Sequence, residues 1–173
     1  MNDKASGIRI IPIAEKYIES FHACLDSVAR ERIYLAGIKA RPLESTIEFI
    51  LNNIKNNYPQ YIAVKDGRVV GWCDIIPRRG IDFSHSGVLG MGVKKEYRGR
   101  GIGTSLLETT INTARTYGLE RIELEVYTSN TVAIRLYEKH GFVTEGVKKK
   151  ARKLDDDYYD IQVMALLLNH NDS

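Results

Sequence analysis

Residues 98 to 104 read Arg-Gly-Arg-Gly-Ile-Gly-Thr, and this stretch lies between a strand-like run and a helix-like run. The run before it is Val-Leu-Gly-Met-Gly-Val (88–93), and the run after it begins Ser-Leu-Leu-Glu (105–108). A glycine-rich turn at a helix N-terminus leaves several backbone N–H groups without partners and directs them at one place. The helix dipole adds partial positive charge there, and Arg98 and Arg100 add full charges. The stretch therefore predicts a strand–turn–helix unit that binds an anion such as a pyrophosphate.

The spacing of these glycines excludes two common phosphate-binding motifs. A P-loop requires GxxxxGK[ST], and no lysine follows the second glycine here. A dinucleotide fingerprint requires GxGxxG, whereas Gly99, Gly101 and Gly103 alternate strictly. The remaining interpretation is a cradle of N–H groups that meets the charge of a pyrophosphate without a metal ion.

The composition narrows the class of protein. A chain of 173 residues is long enough for one domain, which we predict to span residues 1–173. A net charge of +3 is too small to indicate a nucleic-acid partner. Cys24 and Cys73 lack CxxC spacing and the four histidines are scattered, so no metal site is predicted. No apolar run is long enough to span a membrane, and a cytoplasmic enzyme or binding domain is the default expectation.

The order of predicted elements indicates an α/β fold. Asp66-Gly67 predicts a two-residue hairpin turn, since glycine tolerates the positive φ that such a turn needs. The pattern predicts one mixed sheet of about seven strands with about four helices on its faces. Strands are predicted near residues 8–13, 61–64, 68–72, 88–93, 120–127, 142–153 and 158–168, and helices at 14–30, after Pro42, at 101–117 and at 130–139.

Two blocks of the chain resemble the GNAT superfamily of N-acetyltransferases. The first block, 93–107, contains the pattern Arg/Gln-x-x-Gly-x-Gly/Ala at Arg98, Gly101 and Gly103. The second, 130–142, reads Asn-x-x-Ala-x-x-x-Tyr-x-x-x-Gly-Phe. The resemblance is tight over about residues 88–147. It implies the GNAT fold, a mostly antiparallel sheet that splays in the middle, and acetyl-CoA as cosubstrate with no metal.

The resemblance also implies which residues bind acetyl-CoA. Free backbone groups of the splayed strand would pair with the pantetheine arm, and the cradle N–H groups would hold the pyrophosphate. The side chains of Arg98 and Arg100 contact either phosphate or solvent. Asn130 is either a cofactor contact or a plain helix N-cap, and Tyr137 is either functional or a buried aromatic. The predicted cofactor residues are Met91, Gly92, Val93, Arg98, Gly99, Arg100, Gly101, Ile102, Gly103, Thr104, Asn130, Ala133 and Tyr137.

Three residues are predicted to carry the chemistry. The resemblance implies that the Val93 N–H stabilises the oxyanion formed from the thioester carbonyl. A tyrosine near pKa 10 stays protonated at neutral pH, so Tyr137 is a candidate acid for the leaving thiolate. Glu125 lies 12 residues before Tyr137, the spacing of base and acid in the ribosomal-protein N-terminal acetyltransferases, and is the candidate base. A water chain is the alternative, and Asp160 and Asp74 are weaker rivals.

The acceptor is open at this stage. The region of Glu145-Gly146 and residues 158–160 resembles small-molecule and amino-acid acetyltransferases, so a small primary amine is the leading expectation. A peptide or protein N-terminus and a non-catalytic acyl-CoA sensor are the alternatives. The basic run 148–153 is expected to be a solvated strand edge rather than a polyanion site. Family resemblance alone suggests a homodimer.

Overall fold

The computed structural model describes residues 7–168, which form one sheet with helices on both faces. The four helices are α1 (Ile18–Ala29), α2 (Leu43–Lys55), α3 (Ile102–Tyr117) and α4 (Thr131–Lys139). The strands are β1 (Ile8–Pro12), β2 (Gln60–Lys65), β3 (Arg68–Pro77), β4 (Ser86–Val93), β5 (Arg121–Tyr127), β6 (Val143–Leu154) and β7 (Asp157–Leu167). The predicted α/β class, strand number and helix number are confirmed.

The sheet has the strand order β1-β2-β3-β4-β5-β7-β6 and is antiparallel except at its centre. There β4 and β5 run parallel, and they pair only from Ser86 with Arg121 to Val88 with Glu123. Beyond Val88 the two strands separate, while β4 stays paired with β3 as far as Val93. The result is the predicted split in the middle of the sheet, open between the end of β4 and the end of β5.

Two hydrophobic clusters fix the helices to opposite faces. The α3 and α4 face packs on Cys73, Ile75 and Leu124, and includes Tyr137. The α1 and α2 face packs on Ile62 and Trp72. Side chains alternate along a strand, so Trp72 and Asp74 lie on the α1 and α2 face while Cys73 lies on the other.

The boundaries of two predicted elements differ from the structure. The first helix begins at Ile18 rather than at residue 14, because Glu15–Tyr17 form a 3-10 turn in which the Tyr17 N–H bonds to the Ala14 carbonyl at 2.9 Å. Strand β3 continues past Trp72 to Pro77 because it pairs with β4 over that whole length. The predicted hairpin at Asp66-Gly67 is present, with φ values of 48° and 75°.

The basic run 148–153 lies on β6, the edge strand, and is largely exposed. Three of its four lysines form ion pairs with neighbouring carboxylates: Lys148 with Glu125, Lys149 with Asp160, and Lys153 with Asp156. This placement agrees with the interpretation of the run as a solvated strand edge.

Candidate active site

The predicted anion cradle is built by backbone conformation. Gly99 and Gly101 have φ values of 73° and 76°, in the left-handed region that favours glycine. A Cβ added at either would meet nothing within 4 Å, so the glycines are required for conformation rather than for space. Gly101 is the N-cap of α3, and because glycine has no side chain it leaves the first N–H groups of the helix uncapped. The turn therefore reverses direction sharply and starts the helix with its N–H groups open.

These N–H groups fit a pyrophosphate. Within residues 7–168, no hydrogen bond is donated by the backbone N–H groups from Gly99 to Thr104. The first turn of α3 carries no acidic side chain that would compete for them. Together with the helix dipole, this arrangement attracts an anion through backbone atoms.

Both arginines of the cradle already have hydrogen-bond partners within the chain. Arg98 donates from Nε to the Val93 carbonyl at 2.8 Å, and its guanidinium forms a two-bond ion pair with Glu31 at 2.8 and 2.5 Å. The same guanidinium lies over the ring of Tyr34, 4.6 Å from its centroid. Hydrogen bonding to Glu31 raises the pKa of Arg98. Arg98 thus ties the cradle to the segment after α1, while Arg100 is exposed and donates to the Glu96 carbonyl at 3.0 Å.

The end of β4 presents its free backbone edge to the split. The Lys94 N–H bonds to the Val70 carbonyl of β3 at 2.9 Å. Hydrogen-bonding direction alternates along an antiparallel strand, so the N–H groups of Met91 and Val93 point away from β3. Val93 therefore directs its N–H into the split, the position that the predicted oxyanion role requires.

Tyr137 lies on α4 with its side chain buried in the core of the α3 and α4 face. It is 7% exposed, and its ring lies 5.7 Å from that of Phe142. Burial raises the pKa of Tyr137, so its hydroxyl stays protonated across the physiological range. Within residues 7–168 the hydroxyl makes no hydrogen bond. On the same helix, Asn130 is an N-cap whose Oδ1 accepts from the Ala133 N–H at 3.3 Å.

The predicted base, Glu125, lies on the α1 and α2 face of the sheet. Its side chain is 52% exposed and forms an ion pair with Lys148. Nearby Glu123 is held by Arg121 and Arg78, and hydrogen bonding to Arg121 lowers its pKa. Asp160 accepts from Lys149 at 2.9 Å and from the Lys150 N–H at 2.8 Å, bonds that lower its pKa.

Asp74 differs from these carboxylates. It is 8% exposed and has no hydrogen bond or ion pair to a side chain within residues 7–168. Burial raises the pKa of Asp74 to about 7. The sequence signal for this site is an acidic residue within the apolar run of β3. The signal was missed because the strand was predicted to end at Trp72, which placed Asp74 outside the strand.

Asp74 lines a cavity of about 370 Å³ between the sheet, α1, α2 and the segment that joins them. The walls are mainly apolar, with Phe21, Phe49 and Trp72 contributing aromatic surface. Lys39 and Arg41 line the side formed by the joining segment, and both are exposed. Asp74 is the one acidic side chain among the described lining residues. The volume is at the lower end of the range for small-molecule sites.

The two cysteines lie outside this chemistry. Burial raises the pKa of Cys24 to about 12 and raises the pKa of Cys73 as well. Both thiols therefore stay neutral and are poor nucleophiles. No group of three or more histidine, cysteine, aspartate or glutamate side chains within residues 7–168 could hold a metal ion.

The split sheet, the N–H cradle at the start of α3 and the cavity over β3 are the features expected of a protein that binds a pyrophosphate-bearing cosubstrate. The model of the acetyltransferase (GNAT) family matches residues 21–142. The chain therefore belongs to the GNAT family of acetyltransferases.

Named relatives include an amino-acid acetyltransferase and an N-alpha-acetyltransferase. The L-amino acid N-acetyltransferase AaaT of Escherichia coli (strain K12) is 34% identical over 107 residues, 61% of this chain and 66% of that enzyme, just under two thirds of its length. An N-alpha-acetyltransferase of Saccharolobus solfataricus is 37% identical over 151 residues, 73% of this chain and 86% of that enzyme.

Solved structures share the fold closely. An acetyltransferase of the GNAT family from Streptococcus pneumoniae has a TM-score of 0.87 and 26% identity, covering 93% of this chain and 99% of that one. A phosphinothricin acetyltransferase from Sinorhizobium meliloti, solved in complex with acetyl-CoA, has a TM-score of 0.88 and 16% identity, covering 96% and 91%. In the described part of this chain, no helix combines the length and apolarity needed to cross a membrane.

Proposed function

We propose that this chain transfers the acetyl group of acetyl-CoA to the primary amine of a small molecule, a free amino acid being the best-supported class. The cavity over β3, the strand that pairs with β4, carries this proposal. It is small, has apolar walls, and combines one carboxylate with two basic side chains at its rim. An ammonium group near Asp74 and a carboxylate near Lys39 and Arg41 would match that distribution of charge.

The same proposal assigns roles to the residues of the split. The cradle N–H groups from residue 99 to 104 hold the pyrophosphate, whereas the Arg98 N–H already donates to the Lys95 carbonyl at 3.3 Å. The free edge of Met91, Gly92 and Val93 pairs with the pantetheine arm. Asn130 and Ala133 border that arm from the start of α4. The Val93 N–H stabilises negative charge on the acetyl carbonyl oxygen, because a fixed donor needs no reorganisation as the charge develops.

The amine attacks the thioester directly, and no covalent enzyme intermediate forms. Tyr137 donates a proton to the departing sulfur, a role supported by its buried, protonated hydroxyl. Glu125 is a candidate to accept the amine's proton, directly or through water, from its position on the splayed part of β5. The cytoplasmic location and the homodimer stay predictions.

A peptide N-terminus is the second candidate acceptor. Its support is the 12-residue spacing of Glu125 and Tyr137 and the relatives named N-alpha-acetyltransferases. The small volume of the cavity favours a small acceptor over a peptide, because a bound peptide must extend beyond the residue that carries its amine.

A matched panel of acceptors tests the proposal. Thiol release from acetyl-CoA would be measured with the twenty amino acids, their decarboxylated amines and the corresponding X-Gly-Gly peptides. For one apolar group these are L-leucine, 3-methylbutylamine and Leu-Gly-Gly. The fastest turnover is expected on free amino acids. Turnover restricted to the peptides would contradict the proposal and indicate an N-terminal acetyltransferase.

The variant Tyr137→Phe tests catalysis separately from binding. Removal of a general acid is expected to lower kcat about 100-fold while leaving the Kd for acetyl-CoA within about two-fold. Tyr158→Phe is the matched control, since Tyr158 is an exposed tyrosine on β7. Saturable acetyl-CoA binding by wild type with no turnover on any amine would instead indicate an acyl-CoA sensor.

A further inference from the structure

We propose that Asp74 is the residue that binds the acceptor's ammonium group and takes up its proton. This inference rests on the proposed function and deepens it, because it names the group that recognises the amine. It also replaces Glu125 with Asp74 as the proton acceptor. The reasons are position, surroundings and the state of ionisation.

The position of Asp74 is set by strand register. Asp74 pairs with Gln60 of β2 on one side and with Gly90 of β4 on the other. A Cβ added at Gly90 would lie 3.3 Å from Oδ1 of Asp74, so the carboxyl group leans over β4 toward the split. Glycine at position 90 thus leaves the carboxylate accessible from the place where β4 separates from β5.

The distance along β4 suits an attacking amine. Gly90 and Val93 are three residues apart, which is about 10 Å at the rise of a strand. A hydrogen bond to the amine, a near-attack distance to the acetyl carbon and a hydrogen bond from Val93 to the carbonyl are each about 3 Å. Placed end to end, these three contacts span nearly the distance between Gly90 and Val93. A carboxylate at Asp74 and an oxyanion donor at Val93 are therefore spaced for one amine and one acetyl group between them.

The surroundings of Asp74 lack a compensating partner. Opposite it, the buried Nε2 of Gln60 has no hydrogen-bond acceptor within residues 7–168, while Oε1 of Gln60 accepts from Asn53 at 3.0 Å. The parts of α1 and α2 that line the cavity carry no charged side chain, and Lys39 and Arg41 come from the exposed joining segment. A buried carboxyl group without a partner is costly unless it is neutral or a cation joins it.

The ionisation of Asp74 then follows the presence of the acceptor. In the free protein, burial raises the pKa of Asp74 to about 7, near the operating pH of a general base. A bound ammonium favours the carboxylate, because an opposite charge within a few ångströms lowers the pKa of an acid. Glu125, by contrast, is exposed and already paired with Lys148.

The proton balance of the transfer is complete with these groups. The ammonium gives one proton to Asp74, and the freed lone pair forms the N–C bond with the acetyl carbon. As the C–S bond breaks, the sulfur takes a proton from Tyr137, which is restored by the second proton leaving the nitrogen through water. Asp74 returns its proton to solvent through the cavity mouth. The products are the acetamide, the CoA thiol and one released proton.

Binding measurements on the full chain saturated with CoA test the proposal without requiring turnover. Isothermal titration would compare an amino acid with its analogue lacking the amine, L-leucine with 4-methylpentanoate, or the corresponding pair for the best acceptor of the panel. Asp74→Asn is expected to weaken binding of the amino acid about 10- to 100-fold, the value of a charge-assisted hydrogen bond. Binding of the des-amino analogue is expected to change less than about two-fold.

The control is Asp66→Asn, which makes the same change at the exposed β2–β3 turn and should alter neither affinity. Equal weakening of both ligands by Asp74→Asn would overturn the proposal, because it would indicate a purely structural role. Failure of wild type to bind any amine of the panel would overturn it as well.

The pH dependence of turnover separates Asp74 from Glu125. For wild type, kcat/KM is expected to fall below about pH 7 as Asp74 becomes protonated, and Asp74→Asn should remove this decline. Loss of the decline in Glu125→Gln, with its persistence in Asp74→Asn, would overturn the assignment. If wild type binds amines through Asp74 but acetylates none, the proposed function fails while this inference stands.

Discussion

The cradle and the proposed acceptor cavity are built in different ways. The cradle comes from one continuous stretch, and its essential features are backbone conformations at Gly99 and Gly101. The cavity is assembled from β3, α1, α2 and the segment between the two helices. Its essential features are side chains that meet only after folding. The donor site is thus a local property of the sequence, whereas the acceptor site is a property of the tertiary structure.

This difference separates what is constant in such a fold from what is adjustable. A cradle that binds through N–H groups depends chiefly on its backbone conformation, so its glycines matter more than the identity of its exposed side chains. By contrast, each cavity residue changes the shape or charge that an acceptor meets. A substitution in the cradle should therefore impair acetyl-CoA binding for all acceptors, and one in the cavity should act on particular acceptors.

The largest effect is expected for Gly101→Val, which should impair acetyl-CoA binding. A β-branched residue at a φ of 76° is strained, and relief of the strain would turn the N–H groups away from one another. We expect the Kd for acetyl-CoA to rise at least about 100-fold with little change in the affinity for the acceptor, as measured by titration of each ligand alone.

Gly146→Val is the matched control for that variant. Gly146 lies on exposed β6, has no positive φ and has nothing within 4 Å of an added Cβ. Its affinity for acetyl-CoA should stay near the wild-type value. A similar loss in both variants would mean that the cradle does not depend on its left-handed glycines.

The sequence predicted the local backbone of the cradle segment well because the signals for it are local. The alternating glycines, the following helix and the Asp66-Gly67 turn each depend on residues adjacent in the chain, and the structure contains all three elements. The split was not derivable from periodicity and came from resemblance to a family, and the strand order was not predicted. Pairing between β4 and β5 joins residues more than 30 positions apart, which no local pattern specifies.

The surroundings of the candidate catalytic carboxylates could not be predicted, because they depend on residues remote in sequence. Glu125 was favoured by its spacing from Tyr137, but spacing does not reveal that its side chain is exposed and paired with Lys148. Asp74 was named only as a rival, because its burial depends on helices remote in sequence. Arg98 was predicted to face phosphate or solvent, and its partner Glu31 lies 67 residues away.

The pH dependence of stability sharpens the contrast on the cavity side. Burial raises the pKa of Asp74 to about 7 from an unfolded value near 4, so the folded protein prefers the neutral acid. The contribution of Asp74 to stability is therefore full below pH 4 and is lost as the pH rises through 7. Replacement by asparagine removes this loss.

The free energy of unfolding of Asp74→Asn minus that of wild type is expected to be larger at pH 8.5 than at pH 5. The increase should be at most about 3 kcal/mol. Urea denaturation at the two pH values measures this difference. Asp66→Asn, at an exposed turn, should show no such dependence on pH. A constant difference between Asp74→Asn and wild type would indicate that the carboxyl group is solvated in the folded protein.

The smallest effect tests whether the two regions are independent. Arg98 holds the Val93 carbonyl in the split and is joined to Glu31 and Tyr34, which begin the segment that continues to Lys39 and Arg41 of the cavity. One side chain thus contacts the donor-binding strand and the acceptor-binding segment. Two ligands coupled through such a link must affect each other's affinity by the same factor.

We expect CoA to strengthen acceptor binding by about five-fold in wild type and to lose this effect in Arg98→Ala. Arg100→Ala is the control, since it removes the same charge beside the cradle without touching the link to Glu31. Titrations of each ligand in the presence and absence of the other measure the factor. If Arg98→Ala weakens CoA binding but preserves the factor, Arg98 contributes only charge. If the factor is lost in Arg98→Ala but not in Arg100→Ala, the contact between Arg98 and the segment after α1 transmits the effect of CoA binding to the cavity.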